Sequence, residues 1–211
     1  MRVGGTRSSC SPLTSETARP VSCLQVRDSK AAIRWLRGQA GALNIDTAYF
    51  GAGGWSAGAC TTAFLASQRE WDFKTEMTAA TDPTFATLVP YLNLSSAIKA
   101  GVVWAGNGAV TETKDALGHD TRYASTNAPL AMYRGSEDSS MTPWAQQQMQ
   151  AHFNASGARC DLFAVPGVGH STLFPTGTVQ TKNGVPVAGT PLPVLNHSFT
   201  WISEAMGLSV Q

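Results

Sequence analysis

Charge is scarce in this sequence. Asp, Glu, Lys and Arg make up 14% of its 211 residues, and 15 Lys+Arg against 14 Asp+Glu leave a formal net charge of +1. No long basic run appears, so neither nucleic acid nor an anionic membrane surface is expected as a partner, and a small neutral substrate fits better. No apolar run approaches the ~18 residues of a spanning helix, so no membrane span is expected. Met1 to Pro20 also lacks the apolar core of a signal peptide. The low charged fraction leans towards an extracytoplasmic protein. Cysteine is sparse too: Cys10, Cys23, Cys60 and Cys160 fit no zinc spacing, so no metal site is expected. Cys10 and Cys23 flank a Ser/Thr/Pro-rich loop and could close a small ring in an oxidising compartment; the alternative is four buried thiols. Internal repeats and low-complexity tracts are missing as well.

What is present is an apolar, glycine-rich chain of one-domain length, with 43% hydrophobic residues and 20 Gly, enough to bury a core. A single α/β domain over residues 1–211 is expected. Residues 1–27 show no periodicity and read as an irregular N-terminal segment. From Asp28 to Ala40 the residues Ala32, Trp35, Leu36 and Ala40 recur at helical spacing, with Asp28 as N-cap and Gly41 as stop. A strand over 47–53 and a helix over 57–67 follow. Residues 70–97 are mixed, broken at Asp82-Pro83 and Val89-Pro90, and after Gly106-Asn107-Gly108 a polar excursion runs to Asn127. Further strands are predicted at 101–105, 129–133 and 160–165, separated by helix-length sequence, with a helix over Pro143 to Ser156. Asn183-Gly184 signals a late hairpin, and a last helix over about 194–206 sets Leu195, Phe199, Ile202 and Met206 on one face. This cadence is that of a mainly parallel sheet flanked by helices.

Gly54-Trp55-Ser56-Ala57-Gly58 stands between the strand and helix at 47–67. In a G-x-S-x-G elbow the chain turns so sharply that the serine is held in a strained conformation at the tip, with glycines leaving room for neighbouring backbone. Such a serine needs a base, and a carboxylate to orient that base, from later strand-end loops in the order Ser, Asp or Glu, His. The loop after 129–133 holds Glu137 and Asp138, and the loop after 160–165 ends in Gly167-Val-Gly-His170. Both loops would open on the strand edge where parallel α/β sheets bind ligands. His119, His152 and His197 follow no such strand and read as surface or structural histidines.

The run Asp28 to Arg37 with Asn44-Ile-Asp46, then Gly54 to Gly58, Gly135-Ser-Glu-Asp138 with Pro143, and Gly167 to His170 resembles the α/β-hydrolase superfamily, most closely its carboxylesterase/lipase-type members. The resemblance implies a reduced α/β-hydrolase fold in which Ser56 is the nucleophile, Asp138 rather than Glu137 the acid and His170 the base. It also implies hydrolysis of carboxylic esters through an acyl-enzyme with no cofactor. Members usually carry several strands and a His-Gly-Gly loop upstream of the elbow, whose N–H groups complete the oxyanion hole. Here Gly4-Gly5 is the only upstream Gly pair and lacks the histidine, leaving the Ala57 N–H as one donor. The chain is then either a reduced hydrolase with its second donor elsewhere or a clipped version of a longer one. Trp55, Trp104 and Met141 sit on or beside strand ends and could line the substrate pocket, or pack as core and rim. Without a long inserted cap, an open site for short-chain esters is expected. The rival readings are a non-catalytic binding module on the same fold and a peptidase, whose acyl-enzyme uses the same three groups.

Overall fold

Strands rich in apolar residues and bounded by Gly and Pro pair side by side when helix-length segments connect them, and this sets the frame of the protein. A computed structural model describes residues 18–67, 70, 91–106 and 123–209. Helix α1 (Ala18–Gly38) is followed by a short α2 (Ala40–Leu43), strand β1 (Gly51–Trp55), α3 (Ala57–Ser67) and β2 (Ala100–Trp104). Then come β3 (Leu130–Gly135), α4 (Pro143–Ser156), β4 (Cys160–Val165), a one-turn α5 (Leu173–Thr176), β5 (Thr181–Lys182), β6 (Val185–Pro186) and α6 (Val194–Met206). Among the described residues the sheet has the order β1-β2-β3-β4-β5-β6. The first four strands are parallel, and the β5–β6 hairpin adds antiparallel to β4.

Alternation along the strands divides the core in two. Val103, Leu130, Met132 and Cys160 meet α1, α3 and α4 through Ile33, Ala63, Met149 and Phe153. Val102, Ala131, Tyr133 and Phe163 meet α5 and α6 through Leu173, Val194 and Trp201. Because β2 and β3 are buried on both faces, their sequences read as continuous apolar runs. Burial pushes the Cys160 thiol and the Tyr133 hydroxyl up, in both cases reinforced by the nearby Asp161 charge. No described helix is long and apolar enough to cross a membrane.

The hairpin, α4, β4 and α6 lie where the sequence places them, and Asn183 and Gly184 adopt the left-handed φ values of 53° and 81° that a tight hairpin turn needs. Four expectations are corrected. Residues 18–27 belong to α1, so Asp28 lies inside a helix instead of capping one; residues 1–17 lie outside those described, as do Cys10 and the breakers at 82–83 and 89–90. The inward face of α1 is Val26, Lys30, Ile33 and Arg34, while Ala32 and Trp35 are exposed. Two cationic residues on the buried stripe disguise its period, because their aliphatic stems cover apolar surface. Gly41 stops nothing: it sits within α2, which ends on Asn44 in the left-handed region. The strand of 47–53 begins only at Gly51. Thr47–Tyr49 form a 3-10 turn, capped by the Asp46 side chain accepting from the Ala48 N–H at 2.9 Å, a local alternative that β-branched and aromatic composition does not reveal. On α6 the stripe divides: Ile202 and Met206 lie against Gly51 of β1, while at the other end the sheet takes Val194, Ser198 and Trp201, and Leu195 and Phe199 remain 42% and 60% exposed.

Candidate active site

Ser56 stands between the end of β1 and the start of α3, at φ +54°. That conformation is disfavoured for a residue with a Cβ, and it is fixed from both sides: the Ser56 N–H donates to the Trp104 carbonyl at 2.9 Å, and the Ser56 carbonyl accepts from the Ala59 N–H at 3.0 Å. The two elbow glycines differ. A Cβ on Gly54 would lie 2.1 Å from the Gly58 carbonyl oxygen, whereas one on Gly58 would meet nothing within 4 Å. Gly54 is therefore the residue that lets α3 start so close to β1. Ala57 opens α3, so its N–H has no acceptor within its own helix.

The two other loops converge on this point. β3 ends in Gly135, where a Cβ would lie 2.1 Å from the Val168 carbonyl oxygen, so the acid-bearing and histidine-bearing loops touch through backbone. The Glu137 N–H donates to that same carbonyl at 3.0 Å, and the Glu137 side chain stays outside. Asp138 is turned inward and is 3% exposed. Its Oδ1 accepts from the Ser140 and Met141 N–H groups at 2.9 and 3.1 Å, and its Oδ2 lies 3.0 Å from His170 Nδ1. On the other side of the ring, His170 Nε2 lies 3.0 Å from Ser56 Oγ. A carboxylate only accepts, so Nδ1 carries the proton, Nε2 is the acceptor, and the Ser56 hydroxyl donates to it. The set can therefore move a proton from a hydroxyl to an imidazole whose tautomer is already chosen.

Trp55 packs against this histidine, with ring centroids 5.0 Å apart, and is 44% exposed. Trp104 turns below: its six-membered ring covers Gly53 and its indole meets Phe174 edge-on at 5.2 Å. Among the described residues its Nε1 is buried without a hydrogen-bond partner. Met141 contributes backbone, its N–H to Asp138 and its carbonyl to Arg134 Nε at 3.1 Å. Arg134, which the sequence reading passed over, also reaches the Asp138 carbonyl at 3.3 Å and so ties both ends of the acid loop. Its place at the end of β3, directly before Gly135, was the available signal. Gln146 is a second omission: buried in α4, its Nε2 donates to the Gly106 carbonyl, and Gly106 abuts Ala59 and the Ser56 carbonyl. The remaining histidines are engaged elsewhere, His197 with the Tyr133 hydroxyl at 2.9 Å and His152 stacked on Tyr123; His119 lies outside the described residues.

Solved structures share this architecture. A truncated carbohydrate esterase from gut microbiota is 23% identical over 69% of this chain and 60% of its own, with a TM-score of 0.52. Esterase 2 of Thermogutta terrifontis, phosphorylated by paraoxon, is 18% identical over 89% of this chain and 66% of its own, with a TM-score of 0.60. The same enzyme with propionate bound also matches at 18% identity, over 88% of this chain and 66% of its own, with a TM-score of 0.60. The likeness is one of fold, and this chain spans about three fifths to two thirds of the length of those proteins. No curated protein sequence matches. The BD-FAE family matches residues 15–149, well over half of the chain, and with the elbow inside that span the protein belongs to the BD-FAE family, an α/β-hydrolase-type family of esterases.

Proposed function

We propose that the protein is a serine esterase that cleaves carboxylic esters through an acyl-enzyme. His170 Nε2 takes the proton of Ser56 as Oγ attacks the ester carbonyl, Asp138 holds the imidazole and stabilises the imidazolium, and the Ala57 N–H donates to the oxyanion. The imidazolium then protonates the leaving alcohol. Water, deprotonated by the same ring, attacks the acyl-enzyme and releases the acid. The observation that carries this reading is the unbroken chain Ser56 Oγ, His170, Asp138, with both contacts at 3.0 Å, at the carboxyl edge of a parallel sheet. Trp55, half exposed beside His170, borders the substrate position. Short acyl groups are the expected substrates, in keeping with the propionate and butyrate held by the Thermogutta terrifontis esterase, and a carbohydrate alcohol is in keeping with the gut enzyme.

Hydrolysis of p-nitrophenyl acetate and labelling by a fluorophosphonate probe test the reading together. Ser56→Ala is expected to lose both, with a rate loss on the order of 10⁴ or more. Equal labelling of the Ser56→Ala protein would place the nucleophile elsewhere.

A further inference from the structure

A cleft of about 430 Å³ opens between β4, the β5–β6 hairpin and α6, three strands and more from the elbow. Its walls are fixed by the fold. The chain after the hairpin is tied back at both ends, the Val187 N–H donating to the Gln180 carbonyl and the Val179 N–H to the Leu192 carbonyl, each at 2.9 Å. Opposite it, His197, Thr200, Trp201 and Glu204, three and four residues apart, form one face of α6. Phe163 and Trp201, 2% and 4% exposed, join Val187 and Leu192 as its apolar lining. A concave, largely apolar lining with a few convergent polar groups, at this volume, is the form of a small-molecule site.

Those polar groups are mainly donors. Just behind the lining, Asp161 Oδ2 takes Trp201 Nε1 at 2.8 Å, Arg159 Nε and Nη2 at 2.8 and 2.7 Å, and an ion pair with Lys182 at 3.2 Å. One carboxylate oxygen has about two lone-pair positions, so both cations, which line the cleft, keep N–H groups to spare, Lys182 above all. The Tyr133 hydroxyl is fully buried, and among the described residues its partner is His197 Nδ1 at 2.9 Å. A buried hydroxyl proton must be donated, so Nδ1 accepts it and His197 Nε2 carries the ring proton. Arg159, Lys182 and the His197 Nε2–H thus stand against one acidic side chain of the lining, Glu204, which is exposed on the rim.

We infer that this cleft is a second binding site and that it takes a small organic carboxylate, its charged end on Arg159 and Lys182 and its apolar body against Phe163, Trp201 and Leu192. An ionised carboxylate only accepts hydrogen bonds, which matches a lining whose spare groups donate. A cationic ligand would meet two like charges. The site is distinct from the candidate triad, since β1 and β4 are three strand spacings apart, roughly 14 Å. It stands whether or not Ser56 is a nucleophile.

Residue-resolved amide NMR of the full chain at low ionic strength, titrated with hexanoate and separately with 1-hexanol, tests the inference. Hexanoate is expected to shift the Lys182, Thr190 and Thr200 amides saturably, and the uncharged alcohol to bind about fivefold more weakly or worse. Lys182→Met, at a partly exposed position, should weaken hexanoate by about fivefold or more, and Glu204→Gln should bind it at least as tightly as wild type. Thr200→Trp fills the cleft from a half-buried position and should abolish the shifts; the amide spectrum of each variant reports whether it is folded. Shifts confined to the elbow and the His170 loop overturn the inference, as does hexanol binding as tightly as hexanoate, a comparison that needs no variant. So does a folded Lys182→Met that binds as wild type, or a folded Glu204→Gln that binds more weakly.

Discussion

The candidate nucleophile and its two partners are held by opposite means. β1 is Gly-Ala-Gly-Gly-Trp, alternately exposed and half-buried, and among the described residues it pairs with β2 alone. β3 and β4 are paired along six residues, and nearly every side chain of β3 is buried. The serine is therefore held by backbone, through a left-handed φ and the contact of Gly54 with Gly58, while the acid and the base are held by a packed strand pair whose loops touch at Gly135. Damage to the first region is expected to appear in the reaction before it appears in folding. Damage to the second is expected in both.

The largest effect separates chemistry from scaffold within the second region. Asp138→Asn can keep an oxygen for the Ser140 and Met141 N–H groups, but it turns an NH₂ towards His170 Nδ1 and so favours the wrong tautomer. A loss of about 10⁴ in kcat with a melting temperature close to wild type is expected, whereas Glu137→Gln, at the exposed neighbour, should change neither. Next come the two glycines that touch backbone. A Cβ on Gly54 or Gly135 would lie 2.1 Å from a carbonyl oxygen, a distance that forces the chain to move, at about 3 kcal/mol or more. Paired thermal melts and kcat values sharpen the contrast: Gly54→Ala should lose activity out of proportion to stability, and Gly135→Ala should lose both together. Equal profiles for the two would erase the distinction drawn here.

The same contrast governs what the sequence reveals. The packed side is legible because its strands are short apolar runs that end at a Gly or Pro and Pro143 opens a helix-length stretch between two of them; β4 over Cys160–Val165 and α4 over Pro143–Ser156 follow from those signals. The meeting of the three candidate residues is legible for a related reason, since each ends or follows a strand of one parallel sheet. Around the elbow strand the signals mislead. Thr47–Tyr49 has strand composition and forms a 3-10 turn, because the Asp46 cap acts locally. The true strand is mostly glycine, which carries no pattern. In α1 the buried Lys30 and Arg34 hide the stripe that would have extended the helix back to Ala18.

A smaller effect probes the far end of the packed side. Asp161, at the base of β4, accepts from Trp201 Nε1 at 2.8 Å, Arg159 at 2.7–2.8 Å and Lys182 at 3.2 Å. Burial alone would raise its pKa; the Trp201 and Arg159 hydrogen bonds and the two cations outweigh that and hold it below the usual 3.8. A carboxyl depressed in the folded state contributes stability that is present above pH 3.8 and is lost as pH falls through the lowered value. Asp161→Asn should therefore cost about 1–3 kcal/mol at neutral pH and flatten the acid limb of the stability profile. Chemical denaturation between pH 2 and 7 measures both.

The smallest effect is the sharpest for the elbow. If both glycines of the motif served to leave room, replacing either would be ruinous. Gly58, however, lies in the first turn of α3 with no atom within 4 Å of a Cβ, so Gly58→Ala adds no clash and removes some chain freedom from the unfolded state. It is expected to be neutral or to stabilise by up to about 1 kcal/mol, with the p-nitrophenyl acetate rate within a few-fold of wild type. A severe loss of rate without loss of stability would show that the space above Gly58 is needed by the substrate, and would move the acyl pocket to the α3 side of Ser56, away from Trp55.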